Sequence, residues 1–178
     1  MNDSKISVRY AKALFLSAVE KGVVDEVRSD MEYILLLTQN QDVRDLIDSP
    51  VVSNPVKRKA LTALIKGNVN ELTLNLAMLA INNNRESHLA GISRAYIDNA
   101  DRHNGITKAK LTTVMPLGKE ITDSVKKMLE ESTGTKIILQ QESDPDITGG
   151  FLLRVEDLFI DGSVRTQLRK IKKELTSE

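Results

Sequence analysis

Apolar residues recur at helical spacing through roughly the first hundred positions, then give way to shorter runs rich in β-branched residues. The first helix is expected to start near Ser4 or Ser7, either of which can cap it, and to stop at Gly22. A second helix is expected over 24–39, with Val27, Met31, Ile34 and Leu35 on one face, and a short third over 42–48, stopped by Pro50. Asn54-Pro55 reads as a cap followed by proline at the first helical position. The helix behind it carries Val56, Ala60, Leu61, Leu64 and Ile65 and ends near Gly67. A fifth helix is expected over 70–83 and a sixth over 86–103, the latter with Leu89, Ile92, Tyr96, Ile97 and Ala100 on one face.

The pattern changes at Asn104-Gly105. Strands are expected over 106–114, 135–141, 149–155 and 158–160. A helix marked by Ile121, Val125, Met128 and Leu129 lies between the first two and ends before Gly134. Ser163 can cap a last helix with apolar positions Val164, Leu168, Ile171 and Leu175. The chain therefore reads as a two-domain α+β protein: helices only in 1–104, and a small sheet with two helices in 105–178.

The helical wheel adds a puzzle. On helix 1, Ile6, Tyr10, Ala13 and Leu14 cluster, Ala11 and Ala18 widen the arc, and Val8, Phe15 and Val19 carry it to the far side. A helix with one face on a core needs a stripe of roughly 100° or somewhat more, and this one is apolar over about twice that. Helix 5 is similar, with Leu72, Leu74, Leu76, Ala77, Met78, Leu79, Ala80 and Ile81 around its axis and only Thr73, Asn75 and Asn82 in between. Either these helices are the buried centre of the bundle, or each shows one face to the core and another to a partner helix.

Composition narrows the function. Twenty-five Lys and Arg balance 25 Asp and Glu, split 13 against 13 before residue 105 and 12 against 12 after it. Neither half has the basic excess of a polyanion binder, and the six aromatics are too scattered for a base-stacking surface. With no cysteine, disulfides, thiolate metal sites and cysteine nucleophiles are excluded. No apolar run is long enough to span a bilayer, so membrane association is expected only through a partner.

Candidate chemistry is sparse. Gly118-Lys119-Glu120 lacks the rest of a phosphate loop, and Gly149-Gly150 reads as a backbone bend entering a strand. His88 and His103 lie near opposite ends of one helix, too far apart to share a metal. Glu142, Asp144 and Asp146 lack the glycine and closing glutamate of a calcium loop and read as an acidic surface loop. Lys57-Arg58-Lys59 reads as a solvated helix face. The basic run over 169–173 suits the end of a helix, or an acidic protein partner. No catalytic residue, metal or cofactor is implied.

Three stretches carry a resemblance. Arg9-Tyr10-Ala11-Lys12-Ala13-Leu14-Phe15 resembles the opening helix of the delta subunit of bacterial F-type ATP synthase, the family that includes the mitochondrial oligomycin-sensitivity-conferring protein. Asn75-x-x-x-Leu79 with Asn83-x-Arg85 resembles its fifth helix and the turn after it, although Asn83-Asn84 stands where a glycine is common. Gly149-Gly150-Phe151, Asp157, Asp161-Gly162-Ser163-Val164, Leu168 and Leu175 resemble its C-terminal signature.

The resemblance implies a non-catalytic stator connector, one copy per complex, at the cytoplasmic face of a bacterial membrane. It implies an N-terminal six-helix bundle that takes the N-terminal helix of an alpha subunit between helices 1 and 5. Carried over by position, Tyr10, Ala13, Leu14 and Ser17 would face Asn75, Leu76 and Leu79. The region from Gly149 onward would meet the peripheral-stalk b subunits. A helical-bundle RNA-binding protein is the competing reading, disfavoured by the even charge.

Overall fold

The computed structural model describes residues 5–49, 51–145, 147, 149–156 and 158–176, without the side chains of 170, 171 and 173–176. It is an α+β chain that divides into two compact units, Met1–His103 and Asn104–Glu178.

The first unit is helical: α1 (Lys5–Lys21), α2 (Val24–Leu37), α3 (Gln41–Asp48), α4 (Asn54–Ile65), α5 (Glu71–Asn82) and α6 (Leu89–His103), with a 3₁₀ turn over Glu86–His88 before α6. Local chemistry sets several ends. Gly22 takes the left-handed φ of +68° that ends α1, a conformation open to glycine at no steric cost. The Asn40 side chain accepts from the Asp42 and Val43 amides to start α3, and Asn70 accepts from Leu72 to start α5. At α4 the cap position falls on Ser53, which makes no side-chain cap bond, and Asn54 is already helical. The Asn54 side chain instead donates to Asn84 at 2.8 Å. The sixth helix also differs from expectation, because its first three residues wind as the separate 3₁₀ turn.

The core of this unit is contributed by every α-helix: Ala11 and Leu14, Val27 and Met31, Ile47, Leu61 and Ile65, Leu76 and Ile81, Ile92 and Tyr96. Lys57 corrects the reading of 57–59 as a solvated face. It is buried, donating to Glu86 Oε1 and to the Ile47 carbonyl, each at 2.6 Å. Arg58 and Lys59 are exposed.

The second unit holds β1 (Ile106–Thr113), α7 (Lys119–Thr133), β2 (Lys136–Ser143), β3 (Phe151–Val155), β4 (Leu158–Asp161) and α8 (Val164–Thr176). The sheet order is β2-β1-β3-β4. β1 runs parallel to β2, with Ala109 opposite Leu139, and α7 is the crossover between them. β3 is antiparallel to β1, with Leu111 opposite Leu153, and β4 antiparallel to β3. Ala109, Leu111, Leu153, Val155, Ile137 and Leu129 of α7 form its core.

Gly149 and Gly150 precede β3 rather than belonging to it. Gly150 has φ +86°, and a Cβ there would sit 2.3 Å from the Gly162 carbonyl oxygen. The two glycine-bearing segments thus pack backbone to backbone. The turn also anchors α8, where Asp161 accepts from the Ser163 amide at 2.9 Å and the Thr166 hydroxyl at 2.8 Å. Ser163 accepts from the Thr166 amide, as expected of a cap. Val164 and Leu168, two of the apolar positions that mark α8, are exposed. The expectations for Pro50, Asp146 and Asp157, and for the Ile171 and Leu175 side chains, lie outside what is described.

Candidate functional site

On α1 the fully covered positions are Ser7, Ala11, Leu14 and Ala18, a single narrow stripe at helical spacing. Apolar positions on both sides of the stripe are open. Val8, Leu16 and Val19 are exposed on one flank, while Tyr10 and Ser17 are half-buried and Ala13 exposed on the other. α1 is therefore not the buried centre of the bundle, and its apolar surplus faces outward.

α5 behaves in the same way with a deeper stripe. Thr73, Leu76, Ala77, Ala80 and Ile81 are buried, whereas Leu79 is 50% exposed and Asn75 is exposed beside it. The Thr73 hydroxyl donates to Asp30 at 2.8 Å, which turns a polar residue on the buried stripe into a tether to α2. Leu72, half-buried, lies on the same wheel sector as Leu76 and Leu79.

Two observations orient the pair. Asn83, just after α5, donates its side-chain amide to the Tyr10 hydroxyl at 3.1 Å. At the other end, the Asn70 side chain reaches Glu26 of α2 at 3.2 Å and its amide reaches Asp30 at 2.7 Å. The start of α1 therefore neighbours the end of α5, and the helices are antiparallel. The flank of α1 with Tyr10, Ala13 and Ser17 is the one turned to the Asn75–Leu79 side of α5. Leu14 and Leu76 are covered members of one core cluster beneath this line. Of the seven residues singled out in the sequence, Tyr10, Ala13, Ser17, Asn75 and Leu79 lie along this line and Leu14 and Leu76 are buried beneath it, whereas half-buried Leu72 and the Asn83 bond to Tyr10 were not singled out.

The turn after α5 is pinned from several directions. Asn84 sits at φ +53°, the left-handed geometry that asparagine tolerates in place of glycine. Its side chain accepts from Asn54, the Arg85 amide donates to the Ala80 carbonyl at 2.7 Å, and Glu86 is held by Lys57. A buried lysine has no signature of its own in a sequence, and this one lay inside a run of cations.

The remaining electrostatics are structural. Burial works against the charge on Arg28, but its hydrogen bond and ion pair with Asp101, helped by Glu32, outweigh this and hold its pKa above the ordinary value. Tyr96 is fully buried and donates to the Val24 carbonyl at 3.2 Å. Burial, then the charges of Asp25 and Asp30, push its phenol up to about 12. Edge contacts to Phe15 come from Tyr96 at 6.1 Å and from His103 at 5.6 Å between ring centroids.

Among the described residues, no three of His, Asp and Glu lie close enough together to hold a metal ion, and no helix is long and apolar enough to cross a membrane. The second unit exposes its own apolar set at Phe151, Leu158, Phe159, Ile160, Val164 and Leu168.

A family model described as the ATP synthase delta (OSCP) subunit matches residues 6–175. The ATP synthase subunit delta of Symbiobacterium thermophilum is 31% identical over 178 residues, covering 99% of this chain and 96% of the relative. That of Christiangramia forsetii is 34% identical over 176 residues, covering 98% and 95%. A chain in the cryo-EM structure of the Toxoplasma gondii mitochondrial ATP synthase hexamer superimposes with a TM-score of 0.78 at 26% identity, covering 98% of this chain and 99% of that one.

Proposed function

We propose, for a chain that belongs to the ATP synthase delta (OSCP) subunit family, the role of stator connector between the catalytic head and the peripheral stalk. Members of this family are non-catalytic subunits of the ATP synthase, so the site must bind rather than react. A rotating central shaft exerts torque on the head, and the connector has to hold the head against it. Such a contact needs desolvated apolar area in a rigid frame, with no reactive group.

The observation that carries this reading is the open line between α1 and α5. Tyr10, Ala13 and Ser17 stand on one side, Asn75 and Leu79 on the other, above the buried Leu14 and Leu76. An amphipathic helix laid along it would bury Leu79 and the Tyr10 ring and present its own apolar face to them. The occupant is the N-terminal helix of an alpha subunit. In this reading residues 1–104 form a six-helix bundle that binds the head.

Residues 105–178 take the b subunits of the stalk. The apolar residues exposed on β3, β4 and α8, from Phe151 to Leu168, support that assignment. The protein then reaches the cytoplasmic face of the membrane through the complex. The RNA-binding alternative gains nothing from the comparisons, and the even charge still weighs against it.

Co-purification tests the proposal. Tagged protein should bring down the catalytic head and the b subunits at one copy of the tagged chain per complex. Recovery of neither would overturn it.

A further inference from the structure

Asn104 and Gly105 open the second unit, directly after the last residue of the first. Nowhere else in the chain is an asparagine followed by glycine. Asn104 is exposed in the turn after α6, and Gly105 takes a left-handed φ of +63°. Beyond its chain neighbours, no heavy atom lies within 4 Å of the place a Gly105 Cβ would occupy. Asn68 is the contrast, since it too is exposed in a turn but is followed by the β-branched Val69.

An asparagine side chain is a latent electrophile, which makes it a thermolabile residue. When the next backbone nitrogen attacks its Cγ, a C–N bond forms and the side-chain nitrogen leaves as ammonia, taking the backbone amide proton with it. A cyclic imide remains, and water opens it at either carbonyl. Opening at the side-chain carbonyl gives aspartate in the ordinary linkage. Opening at the main-chain carbonyl gives isoaspartate, whose backbone runs through the former side chain and is longer by a methylene. A side chain on the following residue crowds the attacking nitrogen, and glycine has none.

We propose that Asn104 is a modification site, deamidating through the Gly105 nitrogen, and that the resulting isoaspartate loosens the start of the sheet. The fold holds the chemically related Asp161-Gly162 inert. There the nitrogen that would attack donates to the Phe151 carbonyl at 2.9 Å, and a Cβ on Gly162 would sit 2.8 Å from the Phe151 ring. The Asp161 carboxylate is held as well, by the Ser163 amide and the Thr166 hydroxyl. At Asn104 the reaction places a new anion at the C-terminal end of α6, where the helix dipole disfavours it. The added methylene falls just before the Gly105 carbonyl, which accepts from the Lys136 amide at 2.8 Å and so fixes where β2 begins beside β1.

The test incubates the full chain in mildly alkaline buffer and maps its peptides by mass spectrometry, with fragmentation that separates aspartate from isoaspartate. Asn104 should convert about tenfold faster than Asn68 or more, a modest difference in activation barrier. Asp161 should keep its ordinary linkage in the folded chain and lose it in denaturant. Asn104→Ala should remove the early mass gain. Conversion of Asn104 no faster than that of Asn68, or a mass gain undiminished in Asn104→Ala, would overturn the site. Isoaspartate at 161 forming in the folded chain as fast as at 104 would overturn the protection. Deamidation adds a negative charge, so ion exchange isolates the isoaspartate form. Its Ile106 and Lys136 amides should exchange with solvent faster than in the unconverted chain, and unchanged exchange at both would overturn the loosening.

Discussion

Lys57 Nζ lies 2.6 Å from Glu86 Oε1, with both side chains buried, and the pair ties α4 to the turn that follows α5. The lysine also donates to the Ile47 carbonyl, so α3 joins the same node. Glu86 Oε2 has no hydrogen-bond partner among the described residues, which leaves its carboxylate dependent on Lys57. Removing one partner of such a pair strands a charge in a poorly solvated place. Lys57→Ala or Glu86→Ala should therefore cost about 3–5 kcal/mol of unfolding free energy. The double change Lys57→Met with Glu86→Leu should recover most of it. Chemical denaturation of the three variants checks this, and an additive double change would show that the residues do not act as a pair.

The groove prediction concerns binding rather than folding. Leu79 is half exposed, so Leu79→Asp should leave the thermal midpoint nearly unchanged while weakening the alpha peptide by about 2–4 kcal/mol, as for a central apolar anchor. Tyr10→Asp should do the same to binding, with some loss of stability because the ring packs on the core cluster. Calorimetric titration of the peptide separates the two effects. Unchanged affinity in both variants would rule out this groove as the binding site.

Glycine positions in the chain are not equivalent. Gly134, at φ +67° beyond α7, has open space where a Cβ would go, so Gly134→Ala should cost about 1–2 kcal/mol, the left-handed penalty alone. Gly150→Ala adds a 2.3 Å collision with the Gly162 carbonyl to a similar penalty. It should cost about 3 kcal/mol or more in the second unit. Hydrogen exchange of β3 and β4 amides in the two variants provides the comparison.

Tyr96 gives the first unit an alkaline limit. Its phenol is raised to about 12 in the folded chain, from an ordinary value near 10 in the unfolded one. A raised value means the contribution to stability is fully present below about pH 10 and is lost as pH climbs toward 12. The loss amounts to roughly 2 kcal/mol by pH 12. Tyr96→Phe should lower stability by about 1 kcal/mol at neutral pH, through the lost bond to Val24, and should flatten the decline above pH 10. Denaturation midpoints for both proteins between pH 8 and 12 would show it. Parallel declines would mean other groups set the limit.

Local regularities were the legible part of this chain. The apolar spacing that marks α2 and α6, the left-handed glycines after α1 and α7, and the asparagines that start α3 and α5 all act within a few residues. Each reports on its own stretch of backbone, so a sequence displays them directly. The aliphatic surplus on helices 1 and 5 was legible for the same reason. Its meaning was not, because a wheel has no knowledge of what stands beside it.

Tertiary structure decided the rest. It covered Ala11, Leu14 and Ala18 and left Val8, Leu16 and Val19 in solvent, although all six are apolar. It paired Tyr10 with Asn83 and Lys57 with Glu86, across separations of 73 and 29 residues. It left Val164 and Leu168 of α8 exposed, although both are apolar. The physical reason is common to all of these. Periodicity is fixed by bonds along the chain, whereas burial and pairing depend on which distant surface arrives opposite. Sequence alone therefore determined the helices, several of their ends and the apolar excess. Only packing determined which part of that excess stays open to a partner.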